Sequence, residues 1–111
     1  MQKEQIVTQS LTGVAVLVPD YDQAITFFTA VLRFDLAEDV AMGGGKRWVR
    51  VVPRGGASGA SMVLAQAATE QQRACVGHQG GGRVVFFLET DDFAGDHAHM
   101  CAQGVHFREA P

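Results

Sequence analysis

The sequence predicts an α+β fold in which a strand–helix unit occurs twice, with sequential strands between the copies. Three observations predict it. Apolar, β-branched runs bounded by turn residues recur along the chain. A strand–helix–strand order occurs twice, at residues 13–34 and 85–105, each copy with an acidic turn and an aromatic (Tyr21, Phe93) in the first helical turn. Between the copies, three strand-like runs follow one another across Gly-rich turns.

Residues 1–10 read as a polar leader. Residues 11–18 (LTGVAVLV) make a strand that Pro19-Asp20 ends. Asp20 and Gln23 have capping-box spacing. Tyr21, Ala24, Ile25, Phe28, Val31 and Leu32 then fall on one apolar stripe, so the helix should run to Leu32 or Arg33. A weak strand over 34–41, a turn at Gly43-Gly44-Gly45, a strand over 46–52, a hairpin loop over 53–59 and a strand over 60–66 predict an antiparallel meander. Thr69 caps a short helix over 69–76, and a Gly-rich loop occupies 77–82. Residues 83–89 (RVVFFLE) are the most apolar run and predict a central strand. Asp91-Asp92 opens a second helix, with Phe93, His97, Met100, Cys101 and Gly104 on its core side and Asp96, His99 and Gln103 on its wet side. Residues 105–109 begin a last strand.

Composition excludes several classes. At 111 residues, 47% hydrophobic and 19% charged, the chain has room for one globular domain after the leader, over 11–111. A net charge of −3 with scattered cations does not make a nucleic-acid surface. No apolar run approaches the roughly 20 residues of a membrane helix, and the polar start has no signal-peptide core. Cys75 and Cys101 form neither a disulfide framework nor a CxxC pair, which points to a reducing compartment and a cytoplasmic protein.

Residues 11–34 (LTGVAVLVPDYDQAITFFTAVLRF), 46–66 and 83–107 resemble the vicinal-oxygen-chelate superfamily of glyoxalases, bleomycin-resistance proteins and extradiol dioxygenases. The resemblance implies paired βαβββ modules whose strands form a curved mixed sheet around a shared cavity. Module one would span 11–66, a linker 67–82, and an incomplete β-α-β module two 83–111. Roughly 20 residues carrying two further strands would be missing, on strand lengths of about 5–6 residues plus loops. The exposed edge would favour a homodimer. In metal-dependent members, histidines open each module's first strand and acidic residues or Gln come from the last strands. Carried over, the histidine slots fall on Gly13 and Val85, and only Gln66 offers a donor in the module-one acidic slot. The resemblance therefore implies no metal site and no cofactor.

Other motifs carry little chemistry. His97 and Cys101 have an i, i+4 spacing that can hold zinc, but both sit on the stripe assigned to the core, where a hydrogen-bonded histidine is the simpler reading. Gly43-Gly44-Gly45-Lys46 lacks phosphate-loop spacing, and Gly80-Gly81-Gly82 precedes a strand rather than following one. Cys75 beside Arg73 has no histidine partner placed by sequence, so no catalytic residue is visible.

If Gly13 and Val85 point into the cavity, alternation puts Ala15, Leu17, Phe87 and Glu89 on the same face, with Val14, Val16, Phe86 and Leu88 backing onto helices. Arg47 or Trp48, with Arg50, would stand at the rim, Gln66 would help fix a polar group, and His78 would lie at the mouth. This lining suits an apolar or aromatic small molecule. The function expected is metal-independent binding of such a ligand by a homodimer. The rivals are a lyase, isomerase or dioxygenase of the same superfamily whose site is completed elsewhere, and a structural module without ligand.

Overall fold

The first strand, β1 (Gly13–Val18), is β-branched and short, and Pro19 ends it by withholding an N–H. The computed structural model describes residues 7–56 and 59–109. Most of the polar leader therefore lies outside the described residues, as do positions 57 and 58 of the expected 53–59 loop.

Asp20 accepts a hydrogen bond from the backbone N–H of Gln23 at 2.8 Å and so caps α1 (Tyr21–Thr26). The helix continues as a wider π turn, Phe27–Val31, closed by the Leu32 N–H donating to the Phe27 carbonyl at 3.1 Å. Arg33 follows with φ +61°, the left-handed geometry that stops a helix, here without glycine. The helical segment thus ends where the apolar stripe predicts.

The meander follows. β2 (Asp35–Gly43) is longer than the apolar pattern indicates, because pairing with β3 (Lys46–Val52) rather than burial defines it; every residue of β2 is exposed. Gly43, Gly44 and Gly45 all have positive φ, which explains the glycine run at that turn. β4 (Ser61–Gln66) then lies between β3 (antiparallel) and β1 (parallel), giving the order β1-β4-β3-β2.

Register fixes the faces. Val49 pairs with Leu64 and Val51 with Met62, and these four point at α1 and the π turn. They form the core with Val18, Tyr21, Ala24, Phe28 and Phe34. Phe28 and Phe34 meet edge-on, 5.5 Å between centroids. Full burial of a residue such as Leu64 contributes about 1.5–3 kcal/mol.

Beyond β4 the agreement with expectation is partial. Thr69 caps α2 (Glu70–Cys75), accepting from the Gln72 N–H at 3.1 Å. Asp92 caps α3 (Phe93–Ala102), accepting from the Gly95 N–H at 3.1 Å. Residues 83–89 and 105–109, however, are in no strand. Their apolar side chains favour β structure, but among the described residues no neighbouring strand supplies the ladder, and Phe87 is 90% exposed.

The expected faces of α3 are not separated: none of its residues is buried, and His97 and Met100 are half-buried just as Asp96 and His99 are. Asp96 ion-pairs with Arg54 at 3.3 Å, and a His99 ring nitrogen lies 2.8 Å from the Ala30 carbonyl. The supposed wet side therefore touches the first unit. Phe93 is exposed instead, and His97 stacks between Phe93 and Phe107. Among the described residues no strand faces the apolar stripe, so it is left only partly covered. The radius of gyration is accordingly 16.9 Å, against about 13 Å for a compact chain of this length.

Candidate functional site

Strand alternation divides the first unit into a helix-covered face and an open face. Ala15 and Leu17 of β1, Val63 and Ala65 of β4, Trp48 and Arg50 of β3, and Glu38 and Val40 of β2 share the open face, as their registers require. A Cβ built on Gly13 would lie 3.1 Å from the Ser61 hydroxyl and 3.3 Å from the Val63 side chain, so Gly13 belongs to this face as well. Trp48 is 40% exposed, and Val40 and Met42 are exposed beside it. A floor of small aliphatic groups thus meets an indole wall.

The polar part of this face is one ion pair. Arg50 Nε donates to Glu38 Oε1 at 2.7 Å. The Arg50 guanidinium, with help from the Trp48 indole N–H, holds the Glu38 carboxyl below its usual range. Both side chains remain in contact with solvent, so the pair is available to a ligand and contributes little to stability.

Arg47 is placed differently. Its parity puts it on the helix-covered face, where its guanidinium donates twice to Asp39, at 3.1 and 2.7 Å, and once to Asp22 at 2.9 Å. It also lies 5.2 Å from the centroid of the Tyr21 ring. The hydrogen bonds to Asp39 and then Asp22 push the Arg47 pKa upward and keep it charged. Asp39 moves the opposite way, chiefly because Arg47 donates to it. Arg47 therefore clasps α1 to β2. Gln66 is engaged on the same side: its Oε1 accepts from the Tyr21 N–H at 3.0 Å, while the Tyr21 hydroxyl accepts from the Arg47 N–H at 3.2 Å.

The remaining expected residues are dispersed. Glu89 lines a cleft of about 470 Å³ at the end of the sheet, with Leu32, Phe34, Arg54, Leu88 and Asp96. His78 lines a smaller cleft of about 190 Å³ with Gln79, Arg83, Val85 and Arg108. Phe87 projects into solvent. Of the seven sequence-predicted binding residues, the open face brings together Trp48 and Arg50. Sequence reasoning missed Glu38, whose only signal is its cross-strand position opposite Arg50.

The residues do not fit a metal of the kind the resemblance brings to mind. Gly13 and Val85 carry no donor, and the Gln66 oxygen is already taken by Tyr21. Among the described residues, no three His, Cys, Asp or Glu side chains are grouped to hold an ion. His97 and Cys101 do approach, with 3.8 Å between sulfur and nitrogen, but as a pair only. No helix among the described residues is long and apolar enough to cross a membrane.

A βαβββ unit with an open, apolar sheet face defines a class of small-molecule-handling folds rather than one activity. The chain belongs to the Glyoxalase/Bleomycin resistance protein/Dioxygenase superfamily, whose family model matches residues 10–111. An uncharacterized protein of Shewanella frigidimarina (strain NCIMB 400) is 44% identical over 104 residues, which is 93% of this chain and 76% of that protein. Among solved structures, TnmS3, an antibiotic binding protein from Streptomyces sp. CB03234, is 25% identical, with a TM-score of 0.69 over 92% of this chain and 76% of that one. A glyoxalase/bleomycin resistance protein from the same Streptomyces is 28% identical, with a TM-score of 0.64 over 87% of this chain and 76% of that one.

Proposed function

We propose that this protein binds a small aromatic or apolar molecule, without a metal, on the open face of its sheet, and that it does so as a dimer. The observation that carries the reading is Trp48, an exposed indole beside the Arg50–Glu38 pair and above a floor of Ala15, Leu17, Val63 and Ala65. A planar ligand would stack on the indole while Arg50 holds an anionic or carbonyl group. The face has one wall, so a second copy would supply the opposite one and exclude water. The antibiotic-binding neighbour supports a binding role.

The chain has a single tryptophan, so its fluorescence reports on this face alone. Titration with anthraquinone sulfonate is expected to quench it saturably, and EDTA is expected to change nothing. Arg50→Gln should weaken binding about tenfold, roughly 1.4 kcal/mol for one charge-assisted hydrogen bond. Binding that disappears with EDTA, or that Arg50→Gln leaves untouched, would contradict the reading.

A further inference from the structure

The second glycine run, Gly80-Gly81-Gly82, has no part in the ligand face, yet its geometry demands these residues. Gly81 and Gly82 have φ +63° and +96°, which side chains resist. A Cβ at Gly80 would lie 2.7 Å from the Arg83 carbonyl oxygen, closer than such atoms pack. Two overlapping turns result. The Gly81 N–H donates to the His78 carbonyl at 3.1 Å, and the Arg83 N–H donates to the Gly80 carbonyl at 3.2 Å. Gln79 ties the loop to the sheet: its Nε2 donates to the Ala15 carbonyl at 2.8 Å, and its Oε1 accepts from the Leu17 N–H at 2.8 Å. The loop is thus fixed both internally and against β1.

The fixed loop gathers charge of one sign. His78 and Arg83 line the cleft of about 190 Å³ together with Arg108, which arrives from beyond α3, and no carboxylate lines it. In a chain of net charge −3, such a cleft runs against the average. The larger cleft is the opposite case, since its Arg54 faces Glu89, Asp91 and Asp96 and pairs with the last. Arg47, Arg50 and Arg54 each meet a carboxylate; among the described residues, neither Arg83 nor Arg108 does. Two guanidiniums sharing one cleft repel, and an anion between them turns that repulsion into attraction. The volume is that of about six waters at roughly 30 Å³ each, which accommodates a phosphate group.

We propose that His78, Arg83 and Arg108 hold the phosphate group of a small phosphorylated molecule. Guanidinium forks match phosphate oxygens two at a time. The imidazole of His78 offers a ring N–H in either charge state. Two arginines balance a phosphate dianion, whereas a carboxylate would leave one of them uncompensated. This site is separate from the ligand face of Trp48: Gln79 fixes the loop on β1, and Trp48 stands on β3, with β4 between them.

Backbone amide shifts of residues 77–83 in the full chain, followed by NMR at constant ionic strength, test the site with methyl phosphate and inorganic phosphate as probes. At about pH 8 both are largely dianions. Saturable shifts are expected with each probe. Arg83→Gln and Arg108→Gln, both at exposed positions, should each weaken binding about tenfold. Lys46→Gln removes an exposed cation at the β2–β3 turn and should leave binding as it is. The proposal is overturned by shifts that sodium chloride reproduces, by arginine variants that bind like the parent, or by a Lys46→Gln loss as large as theirs. Binding of inorganic phosphate without methyl phosphate would equally overturn it. Neither probe should quench Trp48, so this site and the ligand face fail independently.

Discussion

Residues 13–34 and 83–105 have the same local grammar and opposite fates. Each has an apolar run, an aspartate cap and a helix with an aromatic in its first turn. In the first, Val16 and Val18 join Leu64, Val49 and Phe28 around a closed core. In the second, no residue of α3 is buried and the run before it is solvent-exposed. The difference is not propensity, since RVVFFLE is the more β-prone of the two. β1 has β4 beside it, and among the described residues no strand pairs with 83–89. A strand is a pairing, and its sequence only licenses it.

The sharpest way to break this comparison is to truncate one apolar side chain in each region. Leu64→Ala, at a position 1% exposed, should cost about 3 kcal/mol in chemical denaturation. Phe87→Ala, at 90% exposure, should change the stability of the dilute protein by less than about 0.5 kcal/mol. Equal losses would mean that the second region is packed after all.

Caps sharpen it further. Asp20 and Asp92 make the same hydrogen bond to a helix N–H, at 2.8 and 3.1 Å. Asp20→Ala should lower global stability by about 1 kcal/mol, because α1 covers the core. Asp92→Ala should reduce helix content by circular dichroism while the main denaturation midpoint stays in place, because α3 covers none of it.

The smallest effect is that of pH. Glu38 and Asp39 have pKa values depressed chiefly by hydrogen bonds from Arg50 and Arg47 respectively. A carboxylate depressed in the folded state contributes stability that is present above its unfolded pKa, near 4.5 for Glu38 and 3.8 for Asp39, and lost as pH falls through the folded value. Melting temperature should therefore fall below about pH 4, with Glu38→Gln and Asp39→Asn together flattening the decline. The slope should be shallow because solvent screens both pairs.

Much of the first unit is legible in the residues because its signals are local. Asp20, Thr69 and Asp92 each announce a helix that begins at the next residue, by accepting from the N–H three positions on, and the glycines at 43–45 announce a turn that needs positive φ. What the sequence leaves unresolved is non-local. Whether Arg47 or Trp48 faces the open side depends on which parity of β3 meets α1, and Val49 and Val51 decide that only once the helix is in place. Gln66 reads as a donor for a ligand until Tyr21 claims its oxygen. Gln79 sits in a glycine-rich loop with no motif around it, so its role on β1 emerges from contacts alone.

Amide hydrogen exchange in dilute protein tests the central claim most directly. The amides of Val49, Val51, Met62 and Leu64 should stay protected. Those of residues 83–89 should exchange freely. Strong protection of 83–89 in the fully dilute chain would contradict the account.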